Sequence, residues 1–273
     1  MSTHEGDIPA ALTPGGGRNT SFAPARTIMA LILREMSTRY GKSPGGYIWA
    51  VIEPLGAIMI LAIGFSLLLR TPSLGTSFLL FYATGYLPFN LYQTLALQVS
   101  NGIAFSKPLL YYPVVSWVDA ILARFILNSL TAVLISYILI AGIRAAIDIR
   151  TVIDMGPILW AMGLGMLMGL GVGTLNCVIK GLFPVYEAFW GILTRPMFIA
   201  SGVLFIYEDL PAAAQDILWY NPIFHITGLM RAGIYPTYSA SYASKLYVAS
   251  IGLTVLTLGL VLLRRYHRDL MER

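Results

Sequence analysis

Long apolar runs, separated by short polar breaks, dominate the pattern of this chain. Uninterrupted apolar stretches of about 20 residues, the length of helix that crosses roughly 30 Å of hydrocarbon, recur six times. They occupy residues 48–69, 77–99, 120–142, 156–179, 188–206 and 246–263. Arg195 and Pro196 interrupt the fifth, as neighbouring helices permit when they satisfy the freed backbone groups. Ahead of the first run, Met29, Ile32, Leu33, Met36 and Tyr40 recur at three-and-four spacing, with Thr27, Arg34, Ser37 and Thr38 on the other side. This predicts an amphipathic helix over 27–40, lying in the membrane interface. Gly41, Lys42, Ser43, Pro44, Gly45 and Gly46 then turn the chain into the first span. The fold class is an all-α integral membrane protein.

Composition agrees: 57% of the 273 residues are apolar and 11% charged, too little polar surface to coat a soluble domain. The positive charge reads as topology. Arg18, Arg26, Arg34, Arg39, Lys42, Lys107, Lys180, Arg264, Arg265, Arg268 and Arg273 share a side with the termini. The opposite side carries only Arg70, Arg144, Arg150, Arg231 and Lys245, beside Asp148, Asp154, Glu208, Asp209 and Asp216. The positive-inside rule then puts both termini in the cytoplasm, and the net charge of +5 does not call for nucleic acid. Residues 1–25 contain no apolar h-region and are expected to form a disordered cytoplasmic tail ahead of a membrane domain over 26–273.

Enzyme chemistry finds little support. His4, His225 and His267 fall in distant segments, no paired-carboxylate or HExxH pattern lies in a span, and Cys177 is the single cysteine. Gly41-Lys42-Ser43 resembles the end of a phosphate-binding loop, but Met36 stands where that loop needs glycine. A polyprenol-linked intramembrane enzyme is therefore the weaker class of reading.

Some residues invite a role. Phe78, Phe81, Tyr82, Tyr86, Phe89 and Tyr92 share one face of the second span, and aromatic faces with polar tips suit sugar rings, so Tyr82, Tyr86, Phe89 and Tyr92 are candidates to line a pathway. Glu53 and Arg195 are costly inside a membrane. Glu53 either serves a pathway or snorkels to a nearby base. Arg195 either attracts an acidic polymer or lipid phosphate, or pairs with Glu53, Asp119 or Glu187, or snorkels towards the cytoplasm. Asp119 and Arg124, five apart at the start of the third span, can pair with each other or with another helix. Gly163, Gly165, Gly169, Gly171 and Gly173, with overlapping GxxxG steps from Gly165 to Gly173, predict close helix packing of the fourth span at an interior or subunit interface. In the segment before the last span, a short helix is expected over 211–219, and Asn221 can cap a second that begins at Pro222.

The positions Arg34, Glu35, Arg39, Tyr40, Gly41, Gly46, Tyr47, Trp49, Glu53 and Pro54 resemble the membrane-entering motif of ABC-2 type permeases that export bacterial polysaccharides, the capsular exporters especially. Leu210, Pro211, Trp219, Asn221, Pro222 and Arg231 resemble that family's motif before the last span. The resemblance implies a homodimeric permease in the bacterial inner membrane, working with two copies of a separate ATP-binding subunit on lipid-linked polysaccharide. ATP and Mg belong to that partner, and no cofactor is implied for this chain. A periplasmic co-polymerase and an outer-membrane export protein are further candidate partners. Arg34, Glu35, Arg39 and Tyr40, with Phe105, Lys107 and Pro108 of the loop after the second span, would couple to the ATPase. Residues 207–236 would form a re-entrant hairpin that gates the outside. O-antigen, teichoic acid, lipo-oligosaccharide or drug export stand as alternative cargoes.

Overall fold

The computed structural model of the chain describes residues 23–40, 46–111, 115–147 and 152–272, with Ala23, Pro24, Arg39, Tyr40, Tyr47 and Glu272 described by backbone alone. The turn expected at 41–45 and the tail to residue 22 lie outside the described residues. Ten α-helices follow one another among the described residues: α1 (Ala23–Tyr40), α2 (Gly46–Ser66), α3 (Phe78–Ser100), α4 (Gly102–Leu110), α5 (Trp117–Ile147), α6 (Met155–Leu182), α7 (Val185–Ala200), α8 (Ala212–Leu218), α9 (Pro222–Ile234) and α10 (Lys245–Glu272). Among the described residues there is no strand. Four stretches among the described residues are long and apolar enough to cross a membrane: Ile48–Ser66, Trp117–Ile147, Met155–Leu182 and Lys245–Met271.

The core is built around α3, although its tyrosines, Asn90 and Gln93 make it more polar than those four. Its residues Leu80, Phe81, Leu87, Leu91, Leu95 and Val99 are buried, because α2, α5, α6 and α9 all pack on it. Glycines make the α3–α6 contact possible. A Cβ added at Gly169 would lie 2.6 Å from Leu95 Cβ, and one at Gly173 would lie 2.7 Å from Val99 Cβ. With Gly165 they form one stripe at i, i+4 and i+8, so the small-residue spacing in the fourth apolar run is used inside the chain. Gly171 opens a second seam, toward Gly252 of α10.

The fifth apolar run departs from a simple span. Its helix, α7, ends at Ala200, and the chain turns at Gly202, whose φ of 69° favours glycine. Residues 201–203 are buried without being helical, a state tolerable at membrane depth only where protein satisfies the backbone. Side chains of α9 do so. Thr227 donates to Ser201 O (2.8 Å) and Arg231 to Val203 O (3.0 Å) and Phe205 O (2.7 Å). Asn221 donates to Ala200 O (2.9 Å) while its own carbonyl oxygen caps α9 through Ile223 N (3.0 Å), and Pro222 opens the helix. The two short helices expected before the last span are present as α8 and α9.

Candidate coupling site

At one end of the bundle, α1, α3, α4 and α5 meet on a single arginine. Arg124 lies in the second turn of α5, where its stem is too deep to reach water, and both it and Glu35 of α1 are almost wholly buried, with side-chain exposures of 6% and 5%. Their charged groups stand 3.4 Å apart. Arg124 also donates to Gln98 O near the end of α3 (2.8 Å). Its guanidinium lies 4.3 Å from the centre of the Phe105 ring on α4, and Arg34 of α1 approaches the same ring at 5.4 Å. A buried guanidinium needs a carboxylate, a carbonyl or a ring to replace water, and here it takes one of each from three different helices.

This settles the orientation of α1. Leu31 and Glu35 face inward, while Met29 and Leu33, 58% and 59% exposed, face away. Of the apolar stripe read from the sequence, Met29 and Leu33 are exposed and Ile32 and Met36 half-buried, while Ser37 and Thr38 of the polar side are exposed and Leu31 and Glu35 hold the bundle. It also resolves Arg124, which pairs with another helix; Asp119 instead accepts from Ser116 N at the start of α5 (3.0 Å). Of the expected coupling residues, Arg34, Glu35 and Phe105 come together. Lys107 is half-buried and Pro108 exposed on the same short helix. Arg39 and Tyr40 close α1, their side chains outside the described ones. Arg124 was visible only as a charge near a span; its partners sit at distant positions in the sequence.

At the opposite end of α3, Arg231 makes a second buried centre. It is 1% exposed, lies 4.4 Å from the Phe81 ring centre, and holds the two carbonyls of the turn after α7. Its Nε has no hydrogen-bond partner among the described residues. Trp219, the third member of the expected gate, accepts at its carbonyl from His225 Nε2 (2.6 Å), and Ser244 N donates to His225 Nδ1 (3.2 Å). With one nitrogen donating and the other accepting, His225 is neutral, and burial lowers its pKa below 6.5. Tyr238 donates to Glu208 Oε2 (3.1 Å), and burial raises its phenol pKa, keeping it a donor. Leu210 and Pro211 lead into α8, where Leu210 O accepts from Gln215 (2.9 Å).

The expected pathway residues divide. Tyr82, Phe89 and Tyr92 are buried within the single chain, Tyr82 against Phe65 and Phe81 and Phe89 against Phe198 of α7. Tyr86 and Glu53 instead share a polar cavity of about 90 Å³ between α2, α3 and α5, lined also by Asn90, Thr94, Asn128 and Thr131. Arg195 is exposed on α7. Among the described residues it pairs with none of the three carboxylates considered for it, and Glu187 pairs with Lys180.

Apolar helices of spanning length, a small-residue core and buried cationic joints at both ends describe an all-helical membrane protein. The sequence profile of the ABC-2 type transporter family matches residues 26–235, and the chain belongs to that family. It is 28% identical over 238 residues to the polysialic acid transport protein KpsM of Escherichia coli, covering 87% of this chain and 92% of that protein. The capsule polysaccharide export inner-membrane proteins CtrC of Neisseria meningitidis serogroup B (28% over 243 residues, 89% and 92%) and BexB of Haemophilus influenzae (29% over 244 residues, 89% and 92%) are similarly related.

Proposed function

We propose that this chain is the transmembrane permease of an ATP-driven exporter that carries lipid-linked capsular polysaccharide across the bacterial inner membrane. Two copies would work with two copies of a separate ATP-binding subunit, with both termini in the cytoplasm and six membrane-crossing segments, α3 and α7 adding to the four most apolar helices. The observation that carries the mechanism is the Glu35–Arg124–Phe105 joint. It ties α1 and α4, the two elements assigned to the ATPase, to the core helix α3 and to α5, which at 31 residues extends ~46 Å. Displacing α1 or α4 therefore pulls on the spans directly, and no covalent chemistry is asked of the chain.

The substrate would pass along α3 and α7. Phe89 and Tyr86 are covered by Phe198, and α7 has no buried residue along its length, so α7 is the helix whose shift would open Tyr86, Phe89 and Tyr92, while Tyr82, packed on Phe65 of α2, would join the same route only if α2 moved as well. Glu53 and Arg195 would contribute polar contacts on the same route. The α8–α9 hairpin, held by Arg231 and Asn221, would re-enter the outer leaflet and close it.

A strain lacking the gene should lose surface polysaccharide and regain it with the wild-type chain. Glu35→Gln should then restore it only in part at normal membrane abundance. Full surface polysaccharide in the deletion strain would refute the export reading.

A further inference from the structure

Between α3, α6 and the first turns of α7 lies a cavity of about 270 Å³ that no part of the coupling scheme uses. Its lining includes Tyr92, Asn176, Lys180, Tyr186, Glu187 and Trp190. One wall is aromatic: Tyr186 and Trp190, one helical turn apart, stack with ring centres 6.0 Å apart and planes 29° apart. The Tyr186 hydroxyl donates to Asn176 Oδ1 (2.8 Å), which fixes that ring. Facing this wall is Lys180, whose ammonium donates to Asn101 Oδ1 (2.7 Å) and to Glu187 Oε1 (2.5 Å).

The Lys180–Glu187 pair is lopsided. Lys180 is 24% exposed and Glu187 65% exposed. An exposed ion pair contributes little, since water solvates the carboxylate almost as well as the amine does. Glu187 can therefore yield Lys180 to another anion at small cost, while Asn101 keeps the amine in place. An ammonium has three donors, so the third is available even before that exchange. A cation that can be released from its internal partner, beside a flat aromatic wall of amphipathic rings, matches a sugar that carries a negative charge: the ring's C–H face lies on Trp190 and its anionic group on Lys180. α7, with no buried residue, can shift to admit it.

We propose that this cavity binds an anionic saccharide, with Lys180 taking a carboxylate or phosphate, Trp190 and Tyr186 taking the sugar ring, and Glu187 acting as the anion that the ligand displaces. This rests on the export reading for its choice of a glycan, and the charge could come from acidic sugars of the polymer or from a phosphate in its lipid linkage.

The full-length chain in lipid nanodiscs should be titrated with fluorescently labelled tetragalacturonic acid, its methyl ester and maltotetraose 1-phosphate. At least one of the two anions should bind about tenfold more tightly than the ester, a difference typical of one charge-assisted contact. Preference for the first anion identifies polymer carboxylates as the source of charge, and preference for the second identifies a linkage phosphate. Lys180→Met should weaken the preferred anion about tenfold, whereas Glu187→Gln should tighten it, a gain that misfolding cannot imitate. Failure of both anions to bind, equal binding of the ester, or Glu187→Gln leaving affinity unchanged or weaker would overturn the proposal. The wild-type chain restoring surface polysaccharide alongside any of those results would leave the export reading standing. Lys180-dependent binding without restored export would refute the export reading alone.

Discussion

Arg124 and Arg231 occupy opposite ends of α3, contacting it at Gln98 and Phe81, positions ~26 Å apart along the helix. Each is buried and each lies over a phenylalanine ring, at 4.3 and 4.4 Å. They differ in what they hold. Arg124 engages a carboxylate on α1, a peripheral helix whose outward face is exposed apolar surface. Arg231 engages two main-chain carbonyls of a buried, non-helical turn. A side-chain partner on a peripheral helix can swing out and hydrate, so that joint can open and close. Carbonyls fixed in a turn have nowhere else to go, so that joint is a staple. Equivalent chemistry thus meets a partner that water can replace at one end and a partner held in place at the other.

The comparison predicts that stability and transport separate between the two sites. Arg231→Met should have the largest effect, about 3–5 kcal/mol, because it strands two buried carbonyls and the turn that carries them. Thermal unfolding in detergent should show a strong fall in midpoint and in yield; a near-normal midpoint would break the contrast. Next comes Arg124→Met. Because α1 can release Glu35 to water, we expect ~1–2 kcal/mol of destabilisation, with a disproportionate loss of export per folded molecule. In a double-mutant cycle, Glu35→Gln with Arg124→Gln should recover part of the sum of the single losses.

A smaller difference is expected between the rings. Phe105→Leu and Phe81→Leu should each cost ~1 kcal/mol from the lost cation–π contact, but only Phe105→Leu should reduce export, since that ring is shared by Arg34 and Arg124. The smallest effect concerns His225, held neutral between Trp219 O and Ser244 N. Its folded pKa is depressed below 6.5, so the unfolded chain binds more protons below that pH. Stability should accordingly decline as pH falls through about 6.5 and level off below the folded pKa, and His225→Gln should flatten that decline.

Glu53 and Glu35 sharpen the same lesson about partners. Both were legible as carboxylates close to the first span. Glu35 is buried against Arg124 from a different helix, whereas Glu53 is exposed at the rim of a cavity of neutral polar side chains. Nothing in their local sequence distinguishes them, because a partner 89 residues away leaves no periodic mark near Glu35.

Properties set by neighbours in the chain were readable from residue order alone. The apolar runs of α2, α5, α6 and α10, the amphipathic character of α1 and the Asn221–Pro222 helix start all follow from periodicity and capping, which act over a few residues. The glycine stripe of α6 was equally plain, although its partner α3 was not. Tertiary packing alone decided that α3, with its tyrosines, lies at the centre; that the fifth apolar run stops at Ala200 and turns at Gly202; and that Arg124, Lys180 and Arg231 take the partners they do. The reason is physical. Apolar burial depends on which face a residue occupies, which sequence spacing gives, whereas a buried charge or an unpaired carbonyl must be met by a specific atom, and only the packed chain determines which atom is there.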